Sequence, residues 1–299
     1  LNISLEVLKF EIEQKNPLAF LVLNMICHTA NDYCIAERDF NKILEEQESL
    51  KKQGYKYELF SNPEINENEI IVIVDGFYDE SKEILDKYED INVINFPENR
   101  GMQMALNIGV MNATNETICI INDDNILSKG WDEIIEMEFR TESVLTINQI
   151  EPRPSIFGFH TKDFGLKPEE FKYDEFMKYE PTIRERKFTL DGGIFPFVIS
   201  KKNYMIVGGF DTLYQSPFVV DWDFFLKLDL NGVGFYRTNN LYFYHFGSYS
   251  TKKSKEGDNF VSKEVLAADM FSYKWGIQPN LYEHNSHRPK GVKSGGIQF

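Results

Sequence analysis

Residues 120–127 run an apolar, strand-like stretch straight into a cluster of carboxylates and carboxamides: Asn122, Asp123, Asp124 and Asn125. Oxygen ligands gathered at the end of a strand can hold a hard divalent cation, and a cation so held can in turn hold phosphate oxygens. The chemistry implied is that of an enzyme acting on a phosphorylated substrate. The same four residues taken alone also fit a solvated turn in which Asp and Asn bond their own backbone. Which reading holds depends on the elements that position them.

Those elements alternate. Apolar runs of strand length at 18–25, 69–74, 91–96 and 117–121 are separated by helical patterns at 36–53, 79–88 and 101–112, followed by a helix at 131–139. Such alternation predicts an α/β fold on a mostly parallel central sheet flanked by helices. The β-branched run EIIVIV at 69–74 is of the kind buried on both faces of a parallel sheet, and Asp75 and Gly76 end it. In these sheets ligands bind beyond the carboxyl ends of the strands, where both Asp75 and the 122–125 cluster fall. Beyond residue 139 the pattern loosens into an extended stretch at 143–150 and an acidic, aromatic insertion at 167–186. A strand at 191–200 is entered through Gly192 and Gly193, which permit close approach of a ligand or another chain segment. After the GGFD turn at 208–211, Asp221, Trp222 and Asp223 open a helix, His245 follows an aromatic strand at 241–244, and a helix is expected near 261–275.

Composition narrows the function. At 299 residues and 35.0 kDa, with 42% hydrophobic and 14% aromatic residues, the chain can bury a large core. A net charge of -15 opposes nonspecific binding to nucleic acid, so no nucleic-acid partner is expected. No apolar run reaches the roughly 20 residues needed to cross a bilayer, and the cysteines 27, 34 and 119 lack metal-type spacing. A soluble, cytoplasmic protein is expected, with its one basic segment, 287–293, in a frayed tail.

The order of these motifs resembles a GT-A glycosyltransferase, most closely the family 2 group of inverting enzymes, over roughly residues 18–250. The stretch at 69–81 (EIIVIVDGFYDES) resembles that family's aspartate-ended strand, and NRGMQMALNIG at 99–109 its Asn-x-Gly helix. INDDNILSKGW at 121–131 resembles the metal-binding DxD loop, GGFD and DWD resemble the acceptor turn and the catalytic ED motif, and HFGSYS at 245–250 resembles the late metal-binding histidine. Three positions depart from the pattern: Val74 for an aspartate, Asn122 for the first DxD aspartate, and Val220 for a glutamate.

The resemblance implies a nucleotide-sugar donor, UDP-linked, and a glycan or other hydroxyl acceptor. Asp75 is then the base-recognising residue, with turn or helix cap as its other reading. Asp124 and His245 are the metal ligands, for Mn²⁺ or Mg²⁺, and Asn122 and Asp123 sit at the donor, with Asp123 and Asn125 also readable as turn residues. Arg100 and Lys252 are expected at the diphosphate. Asp221 is the general base, Asp223 its rival, and either could instead cap the helix. Gly192, Gly193 and Trp222 are expected on the acceptor side. One catalytic domain over 1–286 follows, with a nucleotide-sugar half at about 17–130, an acceptor half at about 131–251, a C-terminal helix at about 256–277 and a tail at 287–299. A retaining GT-A enzyme, a nucleotidyltransferase and a non-catalytic sugar or nucleotide module share parts of this pattern.

Overall fold

The computed structural model describes residues 19–24, 69–76, 85, 88, 91–154, 159–189, 192–214, 219–247, 257–278, 282–283 and 288–289. Among them, β1 (Ala19–Asn24), β2 (Glu69–Asp75), β3 (Ile91–Phe96), β4 (Thr117–Asn122), β5 (Asn125–Ile126), β6 (Ser143–Glu151), β7 (His160–Thr161), β8 (Phe188–Thr189), β9 (Phe197–Ser200) and β10 (Gly234–His245) form one sheet. Its order is β3-β2-β1-β4-β9-β6-β10-β5, with β7 on β6 and β8 on β10. The expected helix at 36–53 lies outside the described residues, as does most of the one at 79–88.

The alternation of strand side chains builds two cores. Ile70, Val72 and Val74 of β2 pack on one face with Cys119, Ile121, Leu145, Ile147 and Val198. Ile71 and Ile73 pack on the other with Ile118, Ile120, Val144, Phe197 and Ile199. Because both faces are covered, β2 reads as an unbroken apolar run. Helix α1 (Met102–Asn112) covers the second face with Met102, Ala105, Leu106 and Val110; α2 (Trp131–Glu138) covers the first with Trp131, Ile134 and Ile135. On the first face Phe176 of α3 (Tyr173–Tyr179), within the insertion, adds to the core. On the second, Tyr204 of α4 (Lys201–Ile206), α5 (Val220–Leu230) and α6 (Gly257–Trp275) complete it.

Strand direction decides what this sheet presents at its edge. β3, β2, β1 and β4 are mutually parallel. Strand β9 is antiparallel to both β4 and β6, and β6 is parallel to β10, so β6 and β10 point the same way as β4. In register, Val74 and Asn122 flank the end of β1, opposite Asn24 and Leu23. The last residues of β2, β4, β6 and β10, namely Asp75, Asn122, Glu151 and His245, therefore emerge along one side of the sheet.

Two expected strands are redrawn. Among the described residues of the 191–200 stretch, Phe197–Ser200 form the strand; Pro196 has no N–H to donate to a ladder, although its carbonyl accepts Ile147 N, and Gly192, Ile194 and Phe195 are held by the side chains of Thr146 and Gln149. Strand β10 is twelve residues long rather than four. Its first half, GFYRTNN, carries no apolar run, and its pairing with β6 shifts register between Thr238 and Tyr242. Asn125, grouped in the sequence with the turn, instead opens β5 and is fully buried opposite His245.

The GGFD turn is clamped to α1. Asn107 Oδ1 accepts hydrogen bonds from Phe210 N and Tyr204 Oη, each at 2.8 Å, and Asn107 Nδ2 donates to Phe210 O at 2.8 Å. Gly209 sits so close that a Cβ there would lie 2.2 Å from Asn107 Oδ1, and its φ of +67° also favours glycine. Replacing Asn107 with Ala strands three polar groups and is expected to lower stability by about 2 kcal/mol. Urea unfolding should show a lower midpoint at an unchanged slope.

Candidate functional site

The site starts at Asp75. Its carboxylate is buried and accepts Arg100 N at 2.6 Å on one oxygen and Gly101 N at 2.8 Å on the other. Gly101 is the N-cap residue of α1 and Arg100 precedes it, so the charge is held by the turn that leads into the helix and lies at its positive end. Gly76 makes the approach possible: at φ +82°, its Cβ would lie 2.0 Å from Asn99 N. The Arg100 side chain is exposed and pairs with Glu98 at 2.8 Å, which by itself contributes little.

The second group is made by strand pairing. A two-residue turn, Asp123 and Asp124, joins β4 to β5, and β5 pairs antiparallel with the end of β10, His245 opposite Asn125. The pairing carries His245 Nε2 to 3.1 Å from Asp124 Oδ2, while Phe246 N donates to Asp124 O at 3.3 Å. The other ring nitrogen, Nδ1, lies 2.7 Å from Glu151 Oε1. Burial alone would lower the His245 pKa. The Asp124 charge, with hydrogen bonds to Asp124 and Glu151, outweighs it and pushes the imidazole up to about 10. Asp123 is pushed up to about 7, first by desolvation and then by the neighbouring Asp124 charge.

This cluster of Asp123, Asp124 and Glu151 around one imidazole suits a divalent cation, which would take the place of the proton on His245 Nε2. Two ligands in adjacent octahedral positions stand about 3 Å apart when each bond is a little over 2 Å, and Asp124 and His245 are already at that separation. Among the described residues no group of three or more His, Cys, Asp or Glu forms a metal cage. An ion here would thus complete its shell with water and substrate oxygens, as Mg²⁺ and Mn²⁺ do.

The third group sits at the start of α5. Val219, buried and in the left-handed region at φ 56°, turns the chain into the helix, a strained conformation for a β-branched residue. Asp221 follows, half-buried, with Oδ1 accepting Trp222 N at 3.0 Å. Asp223 differs: it is fully buried, and its Oδ1 receives Lys274 Nζ at 2.7 Å, Trp275 Nε1 at 2.8 Å and Tyr214 Oη at 3.2 Å. Lys227 stands 3.6 Å from the other oxygen, and Lys274 also bonds Asp211 at 2.7 Å. Burial would lower Lys274, but Asp211 and Asp223 hold its ammonium above the ordinary lysine value. Asp223 thus fastens α5 to the end of α6.

Gly192 and Gly193, expected on the acceptor side, border the same helix. A Cβ on Gly193 would meet the Phe225 ring at 2.5 Å, and Phe225 lies one turn along α5 from Asp221, on the same face. Thr146 Oγ1 donates to Gly192 O and accepts from Ile194 N, both at 3.4 Å, while Gln149 Nε2 bonds Phe195 O. Trp222 is partly buried against this core and sits edge-on to Phe271 of α6, ring centroids 6.2 Å apart. Lys252 lies outside the described residues.

Sequence reasoning missed Glu151, Lys227 and Lys274. Glu151 closes an apolar strand and carries no motif, and the only hint was its place at a carboxyl strand end. Lys227 follows Asp223 at the i,i+4 spacing of a helical ion pair, a signal that could have marked it. Lys274 lies 51 positions from its partner and left none.

A mostly parallel sheet with carboxylates and an imidazole gathered at its carboxyl ends defines an α/β protein of the GT-A type. The family model described as "Glycosyl transferase family 2" matches residues 40–194, over half of the chain, and the chain belongs to that family. No curated protein matches the sequence. Among solved structures it is similar to S. aureus TarS 1–349, at 15% identity over 87% of this chain and 74% of that one, with a TM-score of 0.45. It is also similar to the same TarS fragment in complex with UDP-GlcNAc (16%, 86%, 67%, TM-score 0.48) and to GalNAc-T7 with UDP, GalNAc and Mn²⁺ (12%, 78%, 44%, TM-score 0.47).

Asp223→Ala removes the shared partner of two lysines and is expected to lower stability by about 3 kcal/mol. Asp221→Ala, at a half-exposed first turn, should change it by about 1 kcal/mol or less. Urea unfolding of both variants measures the difference; equal losses contradict the assignment of Asp223 as the fastening residue.

Proposed function

We propose that this protein transfers a sugar from a nucleoside diphosphate donor, UDP-linked, to a hydroxyl acceptor with inversion at the anomeric carbon. The observation that carries the reading is the contact between Asp124 and His245 at 3.1 Å, made by strand pairing at the carboxyl end of the sheet, the side on which α/β sheets bind their ligands. Asp124 and His245 would hold a divalent ion, Mn²⁺ in preference to Mg²⁺ because imidazole suits the softer ion. The chemistry such an ion supplies is neutralisation of charge on the leaving diphosphate.

The remaining work falls to the chain. Asp75, its carboxylate fixed by the amides of Arg100 and Gly101, presents an anchored acceptor to the uracil N–H. Asn122 and Asp123 border the ribose and diphosphate, and Arg100, whose only described ion-pair partner is the exposed Glu98, can turn towards the phosphates. Asp221 removes the acceptor hydroxyl proton as the oxygen forms its bond to the anomeric carbon and the C–O bond to the diphosphate breaks. One displacement inverts the configuration with no covalent enzyme intermediate. Asp221 is favoured over Asp223 as base because a carboxylate holding two lysines and a tryptophan inside the core cannot meet an acceptor. Gly193, having no side chain, lets the segment entering β9 pack on the Phe225 ring of α5 and so helps to shape the acceptor side around Asp221.

Asp221→Asn is expected to reduce turnover at least about 100-fold while leaving UDP-sugar affinity unchanged. Product NMR and isothermal titration read the two quantities, and near wild-type transfer by the folded variant removes Asp221 from the mechanism. Chelation with EDTA should stop transfer and Mn²⁺ should restore it; turnover unchanged by EDTA eliminates the metal reading.

A further inference from the structure

Glu151 ends β6 and His245 ends β10, and the parallel register, Tyr244 opposite Ile150, brings the two side chains level. The backbone of Glu151 is fixed on its far side as well, where β7 pairs with β6 and Lys162 N donates to Glu151 O at 2.9 Å. Its side chain is 14% exposed and reaches His245 Nδ1 at 2.7 Å, while Nε2, across the ring, faces Asp124 at 3.1 Å. An imidazole offers a metal one nitrogen, and the partner of the other nitrogen decides which one and how the ring is turned. With Nδ1–H donated to Glu151, Nε2 is the nitrogen that gives up its proton to ligate, and its lone pair is then aimed at the Asp124 side.

We propose that Glu151 is a positioning residue for the metal site: it holds the His245 ring so that Nε2 and Asp124 Oδ2 meet one divalent ion. The proposal rests on the metal reading of Asp124 and His245 given above. Glu151 itself does not touch the ion, since it lies at the opposite ring nitrogen. Its carboxylate also makes the ring a stronger donor than an amide would.

Mn²⁺ binding to the full chain in the presence of UDP, followed by the EPR signal of the free aqueous ion against a UDP-only blank, tests this without reference to turnover. Glu151→Ala is expected to weaken Mn²⁺ binding by about 10- to 100-fold while leaving metal-free UDP affinity unchanged. Glu151→Gln keeps an oxygen for Nδ1–H and should fall between wild type and Ala; it decides the matter should the Ala variant not fold. If both variants bind Mn²⁺ within about twofold of wild type while His245→Ala does not, the role of Glu151 is overturned and the metal reading stands. If the wild type with UDP binds no Mn²⁺, both are overturned. A lower unfolding temperature with unchanged Mn²⁺ affinity makes Glu151 structural only and also overturns the proposal.

Discussion

The constraint on which this structure turns is the burial of carboxylates in a chain that already carries a net charge of -15. A buried carboxylate must find donors or give up its charge, and each solution found here fixes a piece of the site. Asp75 uses two backbone amides and thereby sets where α1 begins. Asp223 uses Lys274, Trp275 and Tyr214 and thereby joins α5 to α6. Glu180, fully buried, takes a bidentate contact from Arg184, which also bonds Lys129 O, so the insertion is tied to the segment just after the acidic turn. Asp124 and Glu151 share one imidazole. Asp124 is the member of this set whose counter-charge a metal ion could replace.

Strand direction makes these solutions converge. Had β9 been parallel to one of its neighbours and antiparallel to the other, or absent, the carboxyl end of β6 would not emerge on the same side of the sheet as that of β4. As built, β6 holds two partners through three residues along its length: Thr146 and Gln149 hold the glycine segment, and Glu151 holds His245. Strand β10 then connects β6 to the acidic turn through β5. The glycine segment beside α5 and the Asp124–His245 pair are thus referenced to a single strand, which limits how far either can drift from the other.

The fold was legible wherever local periodicity coincided with burial on both faces: 69–74, 117–121 and 101–112 were read to within a residue or two. It was illegible where pairing is set by distant partners. The polar half of β10 is a strand because β6 and β8 offer it ladders, and nothing in GFYRTNN announces that. The candidate site divides along the same line. Asp75, Asp124, Asp221 and His245 each sit in a short motif whose residue types have a chemical reason to be together. Glu151 and Lys274 act through contacts across 94 and 63 or fewer positions, and only the folded chain makes them neighbours.

The two apolar departures from the family pattern have a physical account that leaves the proposed chemistry intact. Val74 precedes Asp75 on β2, so alternation turns its side chain into the core, where it is fully buried among Ile70, Val72 and Ile121. Val220 precedes Asp221 in the first turn of α5 and is fully buried on the opposite face of the sheet. A carboxylate at either place would need a donor that the surrounding apolar side chains do not offer, whereas valine adds buried apolar area. Neither replacement alters the neighbouring aspartate, because successive residues point in different directions in both a strand and a helix. The substitution that does reach the site is Asn122, at the mouth of β4. There an amide in place of a carboxylate removes one negative charge beside a turn that already holds Asp123 and Asp124, and leaves Asp124 and His245 as the pair on which a cation would depend.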